Sequence, residues 1–388
     1  MVPRTLGTWI TELGRQFPVL ALYGPRQSGK TTLCRSLFPD KPYVNLERPD
    51  IRERIVGDPG SFLRTYGESG VLIDEAQNFP ELPSWLQAYV DEHPGPGRFI
   101  LTGSNQSLLR AQVSQSLAGR AALIRLFPFT VDELLPVGQL RESTDDLLFK
   151  GFYPPLYDKP FRPSDWFSQY VQTYLERDLV QLARLKDWSA FHRFLLLCAG
   201  RTGQVLNLSS LARDADVSHT TARQWLSLLE AGFLVFLLQP WHENYRKRLV
   251  KSPKLYFYDV GLAGHLAGIR EPAQWAAHPL RGAFFETMVV ADLVKSSQAA
   301  APDTEWFFWS SPSGLEVDLV ERRGAEVRAH EIKSGATFRP EQLKNLLAWS
   351  ALSGLPPENM ILHYDGDEEF VYRGVRVRPW RLGRGGTS

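Results

Sequence analysis

The stretch PVLALYGPRQSGKTTLCRSLF, residues 18–38, constrains this chain more than any other. An apolar run from Val19 to Tyr23 breaks at Gly24, and apolar residues resume with helical spacing at Leu33 and Leu37. That pattern predicts a strand, a glycine loop and a helix. Within the loop, Gly24, Gly29, Lys30 and Thr31 satisfy GxxxxGK[ST] at full spacing. A phosphate needs small residues there so that backbone N–H groups can converge on it, with a helix N-terminus adding partial positive charge. The expected cradle for ATP runs through Gly24, Pro25, Arg26, Gln27, Ser28, Gly29, Lys30, Thr31 and Thr32. Lys30 would reach the outer phosphates and Thr31 would hold Mg²⁺.

The segment GVLIDEAQNF supplies a second apolar strand, which ends in Asp74 and Glu75. Two acids after a strand can simply cap the next helix. Paired with the phosphate loop, Asp74 would position Mg²⁺ through its water shell, and Glu75 would orient the water that attacks the γ-phosphate. RFILTGSN ends in the polar run Thr102–Asn105. Ser104 or Asn105 could set a polar side chain beside that water, although turn formation explains the same residues. Arg120 precedes another short strand and could stabilise transition-state charge on a neighbouring subunit's nucleotide, or form a surface salt bridge. VLALY, YVNLE, VLIDE, FILTG and ALIRL read as five short strands separated by helical segments, the rhythm of a parallel α/β sheet.

At 388 residues the chain is long for one hydrophobic core, so two or three domains are expected. Lys and Arg number 44 against 43 Asp and Glu, which removes any global electrostatic argument for nucleic acid and leaves only local patches. Cys34 and Cys198 both lie in apolar surroundings and read as buried free thiols. The start, MVPRTLGTWITELG, lacks the pattern of a secretory signal, and no run of roughly 18 apolar residues occurs, so no membrane span and a cytoplasmic location are expected.

Residues 137–165 are dense in Pro and turn residues and read as an irregular boundary. Helical spacing returns with Phe167, Tyr170, Val171, Tyr174 and Leu175 on one face, which reads as core. LSSLARDADVS and HTTARQWLSLLEAGFL then give a helix-turn-helix, with Ser218 as N-cap and Gly232 closing the second helix, followed by the strand FLVFLLQ. This is the outline of a winged helix. His219, Thr220, Arg223 and Gln224 occupy polar positions suited to DNA, although dense Lys/Arg cover is missing. The loop HENYRKRLVKSPK adds His242, Tyr245, Arg246, Lys247, Arg248, Lys251 and Lys254, a basic wing or a solvated connection.

The helix RGAFFETMVVADLV carries Glu286 beside an apolar face. In GLEVDLVERRGAEVRAHEIKSG, a hairpin turn centred on Gly324 and Ala325 sets Asp318 opposite Glu331, with Lys333 on the same face. Metal-dependent phosphodiester hydrolysis needs carboxylates around a divalent ion and a lysine near the attacking water. Lys333 could equally neutralise both acids with no metal.

These residues carry a resemblance. GPRQSGKTT, VLIDEAQ, LTGSN and SLAGR, with KLYFYDVGL, GAFFETMVV, GLEVDLV and HEIKSG, resemble the bacterial and archaeal ATPases that join an AAA+ module to a C-terminal DUF4143 domain. The resemblance covers nearly the whole chain. It implies an α/β fold: an AAA+ parallel-sheet core over 1–136, a helical lid or linker over 137–195, a winged helix over 196–250, and a PD-(D/E)xK nuclease-like α/β domain over 251–388. It implies Lys30 and Thr31 on nucleotide and Mg²⁺, Asp74 and Glu75 as the Walker B pair, and Ser104 or Asn105 as sensor. Arg120 would be the finger in a ring, most often of six, and Glu286, Asp318, Glu331 and Lys333 would occupy the nuclease-like positions. No Pro precedes the first acid, since Asp318 follows Glu316 and Val317. The leading expectation is a Mg²⁺-dependent ATPase acting on DNA. The alternatives are a nucleotide-gated regulatory or scaffold ATPase with a silent nuclease-like domain, and an ATP-regulated nuclease.

Overall fold

The computed structural model describes residues 2–103, 116–179, 187–241, 252–311 and 314–383. Contacts divide the chain into two units. One comprises Pro3–Pro128 with Ala231–Phe233, and the other Phe129–Glu230 with Leu234–Ser388.

In the first unit the five short apolar runs become β1 (Val19–Tyr23), β2 (Tyr43–Asn45), β3 (Val71–Asp74), β4 (Phe99–Gly103) and β5 (Ala121–Arg125). They pair in parallel in the order β2-β3-β4-β1-β5. β1, β3 and β4 are buried at every position, which explains why they read as unbroken apolar runs rather than alternating ones: helices cover both faces of a parallel sheet. Helix α1 (Lys30–Leu37) begins directly after Gly29. The sheet order puts β4 between β1 and β3, so the carboxyl ends of all three open on the same edge. That edge is where ligands bind in open parallel sheets.

The second unit is built on a nine-stranded sheet of order β13-β14-β12-β11-β10-β9-β7-β8-β6. Its first strands are β6 (Gln204–Val205), β7 (Val235–Pro240) and β8 (Lys254–Phe257). The later ones are β9 (Glu305–Ser310), β10 (Glu316–Arg323), β11 (Glu326–Lys333), β12 (Met360–Tyr364), β13 (Phe370–Tyr372) and β14 (Val375–Pro379). β7 pairs antiparallel with β8 and parallel with β9, so one sheet joins the β6–β8 strands to β9–β14. Helices α2 (Leu208–Asp214) and α3 (His219–Ala231) form the helix pair. The Asn207 side chain caps the first by accepting from the Ser210 N–H at 2.9 Å, and Ser218 caps the second by accepting from the Thr221 N–H at 3.0 Å. Trp225 locks α3 to the helix Trp188–Ala199, with ring centroids 5.3 Å from Phe191 and 5.5 Å from Phe194.

Phe167, Tyr170, Val171, Tyr174 and Leu175 are all buried in the core. The stretch 137–165, expected to be irregular, contains the short helices Thr144–Lys150 and Pro155–Asp158. The signal was a capping box: Ser143 Oγ accepts from the Asp146 N–H at 3.1 Å, and the Asp146 carboxylate accepts from the Ser143 N–H at 3.2 Å. Pro composition masked it. Helix α4 (Arg281–Ala300) packs against β8 and β11, and α5 (Lys344–Ser353) packs against β10 and β11. Among the described residues, no helix is long and apolar enough to cross a membrane.

Candidate functional site

The phosphate loop owes its shape to three residues with positive φ: Gly24 at 154°, Gln27 at 63° and Gly29 at 90°. A Cβ on Gly24 would stand 2.1 Å from the Leu126 carbonyl oxygen, so only glycine lets the loop leave β1 beside that backbone. Arg4 braces the loop, donating from Nη1 to the Ser28 carbonyl at 3.0 Å and from Nη2 to the Phe127 carbonyl at 2.6 Å. Ser28 is fully buried and its hydroxyl has no hydrogen-bond partner, an orphaned polar group lying in the cradle itself. Lys30 folds back, its Nζ donating to the Gly24 carbonyl at 3.0 Å and the Pro25 carbonyl at 2.8 Å. Burial lowers its pKa to about 8, against the pull of Glu75 and Asp74. A bound phosphate would offer this ammonium a charged acceptor in place of two neutral ones.

Asp74, at the tip of β3, is the hub of the site. It accepts from Thr31 Oγ1 at 3.0 Å and 3.1 Å, from the Tyr43 hydroxyl at 2.7 Å, and from Thr102 Oγ1. Thr102 is fully buried. Burial, then the bond to Asp74, raises the Tyr43 hydroxyl's pKa. Glu75 follows in the left-handed region at φ 53°, ψ 46°, and its carboxylate accepts from Gln77 Nε2. The residues present fit Mg²⁺–ATP: an orphaned donor in the loop, N–H groups turned by positive φ, one lysine, and a Thr–Asp pair. Thr31 and Asp74 would hold the ion, which supplies charge neutralisation of the phosphates.

Tyr43, Thr102 and Arg4 were not foreseen. Thr102 opens the polar run at the end of RFILTGSN, but only the parallel pairing of β2, β3 and β4 carries it and Tyr43 to Asp74, so no local pattern announces that partnership. Arg120 makes a bidentate pair with Asp91, Nε to Oδ1 at 2.5 Å and Nη2 to Oδ2 at 2.8 Å, the salt-bridge alternative of the two readings. Ser104 and Asn105 lie outside the described residues, as do His242, Tyr245, Arg246, Lys247, Arg248 and Lys251.

In the second unit, His219, Thr220, Arg223 and Gln224 stand exposed along α3. A groove of about 620 Å³ beside them is lined in part by Asn207, Ser209, His219, Arg223 and Glu230.

The hairpin of β10 and β11 follows the register set by its turn, with Leu319 opposite His330 and Arg323 opposite Glu326. The regular ladder stops at Leu319. Beyond it the Ile332 N–H donates to the Asp318 carboxylate at 2.8 Å, and β10 shifts register against β9 between Val317 and Val320. Lys333 Nζ lies 2.6 Å from Glu331 and 4.0 Å from Asp318. Glu286, from α4, accepts from the Tyr256 hydroxyl at 2.5 Å and from Lys254 Nζ at 3.1 Å. Lys254 also lies 2.5 Å from Glu316.

Lys254 therefore corrects the expectation of a cation on a basic wing. It is only 2% exposed, because alternation along β8 turns Lys254 and Tyr256 inward to the same acids. That spacing was the available signal, as was the spacing of Glu316 and Asp318 on β10.

Burial raises Glu331 to about 8, helped by Asp318 and opposed by Lys333. Burial and Asp318 raise Glu286 to about 7, opposed by Lys254 and Tyr256. Burial raises Asp318 against the pull of Lys333 and Lys254. For Lys254, burial pulls downward, but Glu286, Asp318 and Glu316 outweigh it and push the pKa up. The Glu331 Oε2 atom is buried without a partner. Among the described residues, no three His, Cys, Asp or Glu side chains are arranged to hold a metal ion. Glu286, Asp318, Glu331 and Lys333 converge, and Lys254, Tyr256 and Glu316 join them.

Three family models match the chain: an AAA domain over residues 16–135, a domain of unknown function (DUF8612) over 141–273, and a domain of unknown function (DUF4143) over 281–382. The uncharacterized protein Rv2008c of Mycobacterium tuberculosis is 34% identical over 358 residues, covering 91% of this chain and 78% of its own. An uncharacterized protein of Haemophilus influenzae is 25% identical over 262 residues, 64% of this chain and 62% of its own. Among solved structures, a Walker-type ATPase of Pyrococcus abyssi is 15% identical, covering 69% of this chain and 96% of its own at a TM-score of 0.46. The chain belongs to the family of AAA+ ATPases that carry a C-terminal DUF4143 domain.

Proposed function

We propose that the protein is a Mg²⁺-dependent ATPase that acts on DNA through its second unit. The juxtaposition of Thr31 and Asp74 at 3.0 Å, at the mouth of a loop with an orphaned Ser28 hydroxyl, carries the ATPase half of this reading. Lys30 releases its loop carbonyls to take the outer phosphates. Glu75, directly after β3, would orient the attacking water, and Thr102 and Tyr43 keep aimed the Asp74 carboxylate that would hold the ion, which supplies charge neutralisation.

The DNA half rests on α3. The helix pair with β6, β7 and β8 has the order of a winged helix, and the exposed His219, Thr220, Arg223 and Gln224 present donors and acceptors of the kind that meet base edges and phosphates. We read the strands β9 to β14 with α4 and α5 as the nuclease-like portion.

ATP turnover measured with and without duplex, junction and single-stranded DNA tests this. Turnover should rise with at least one DNA, and the rise should be lost in Arg223→Ala while DNA-free turnover stays at the parent level. Indifference to every nucleic acid would refute the DNA half and leave a nucleotide-gated regulatory ATPase.

A further inference from the structure

A largely buried acidic cluster in a nuclease-like layer is where a divalent ion would be sought, yet here the cations are already supplied by the chain. Four carboxylates, Glu286, Glu316, Asp318 and Glu331, come from α4, β10 and β11. Two ammonium groups stand among them. Lys333 is the expected one, its side chain 36% exposed and 2.6 Å from Glu331. Lys254 arrives from β8, which belongs to the antiparallel β6-β8-β7 group, and it is sealed in: 2% exposed, 3.1 Å from Glu286 and 2.5 Å from Glu316.

We infer that the Lys254 ammonium is the permanent cation of this cluster, taking the place a divalent ion would have between Glu286, Glu316 and Asp318, so that the second unit binds no metal there. The inference rests on the nuclease-like reading only for the expectation that a metal would be wanted; the ion pairs stand without it.

Three physical points support it. A divalent ion needs several oxygens free to turn toward it. Glu286 Oε1 is taken by both Lys254 and Tyr256, one Glu316 oxygen by Lys254, Asp318 Oδ2 by the Ile332 N–H, and Glu331 Oε1 by Lys333. That leaves Glu331 Oε2 as an unpartnered buried oxygen on the Lys333 side, too few for an ion's shell. Lys254 cannot withdraw readily, because its stem runs in a strand with neighbours on both sides and its Nζ also lies 5.6 Å from the centroid of the Phe308 ring. Removing one partner of a buried pair leaves the others uncompensated, so the cluster holds the lysine as firmly as the lysine holds the cluster. The consequence is mechanical. One side chain ties β8 to α4 and β10, joining the helix-pair strands to the hairpin.

The same geometry makes a prediction about the vacated position. Lys254→Ala would leave three carboxylates around a gap with no cation, which is a latent divalent site. The probe is Mn²⁺ alone, without nucleotide, titrated by electron paramagnetic resonance into the full chain. Four proteins are compared: parent, Asp318→Asn, Lys254→Ala and Lys254→Ala with Asp318→Asn. Expected are the same number of bound ions in parent and Asp318→Asn, one additional ion in Lys254→Ala, and its loss in the double variant. Lys254→Ala should also melt lower than the parent and recover in part on adding Mn²⁺. An ion bound by the parent and lost in Asp318→Asn would overturn the inference while strengthening the nuclease-like reading. So would a Lys254→Ala protein that keeps a cooperative melt but gains no ion. If that variant does not fold, the comparison of parent with Asp318→Asn decides by itself.

Discussion

Glu75 sits in the left-handed region at φ 53°, ψ 46°, directly after the strand that delivers Asp74. An L-residue with a long side chain is strained there by roughly 1–2 kcal/mol, and such strain persists where the surroundings over-determine it, often at functional sites. Glycine takes the same conformation freely but loses more chain entropy on folding, by about 0.5–1 kcal/mol. Replacing Glu75 by Gly and by Ala removes the carboxylate and the Gln77 bond equally, so the difference between the two variants isolates the backbone. Glu75→Gly should be more stable than Glu75→Ala by about 0.5–1 kcal/mol. For a unit of this size that raises the melting temperature by about 2–4 °C, read by differential scanning calorimetry. The functional arm is Glu75→Gln, which keeps the strain and the side-chain shape but not the charge. It should bind ATP like the parent and turn it over about 10²–10³-fold more slowly. Equal stability of the Gly and Ala variants would show that no strain is stored at this position. Undiminished turnover by Glu75→Gln would remove Glu75 from the hydrolytic role.

Three further outcomes follow from particular contacts. Thr31→Ala should weaken Mg²⁺-dependent nucleotide binding, seen by calorimetry, while leaving the fold's melting temperature close to the parent's. Gly24→Ala brings a Cβ to 2.1 Å from the Leu126 carbonyl oxygen, so the unit should lose roughly 1–3 kcal/mol in urea unfolding, with nucleotide binding abolished. Asp292 accepts from the Val131 N–H at 2.7 Å, and burial raises it to about 7 against the pull of Lys295. Between about pH 4 and 7 the unfolded chain gives up this proton first. The folded state then binds more protons, and stability falls as pH rises through that window. Asp292→Asn should flatten that fall by an amount on the order of 4 kcal/mol, measured as the pH dependence of unfolding.

How much of this was legible varied with how local the cause was. The phosphate loop, the β3 acids and the five strands of the first sheet could be read because each is a contiguous pattern whose chemistry needs those residues at that spacing. The hairpin was legible for the same reason as far as Leu319: a turn at Gly324 and Ala325 sets the pairs from Arg323–Glu326 to Leu319–His330, and the expected Asp318–Glu331 pair falls beyond that regular ladder. The helix Thr144–Lys150 was present in a capping box but hidden by proline-rich composition.

The sequence by itself determined the ATPase core, the loop chemistry and the shared face of Asp318, Glu331 and Lys333. Only the tertiary structure decided which side chains complete those sites. Tyr43 and Thr102 reach Asp74 because β2 and β4 flank β3, and strand order is a property of the sheet rather than of any segment. Lys254 reads in sequence as one more cation after a basic run, yet it ends under the acids of α4 and β10. A charge's role depends on what faces it, and residues 254, 286 and 316 meet only when the nine-stranded sheet closes over α4. Burial then makes the pairing strong, since in a low-dielectric interior an ammonium without those carboxylates could not be held charged at all.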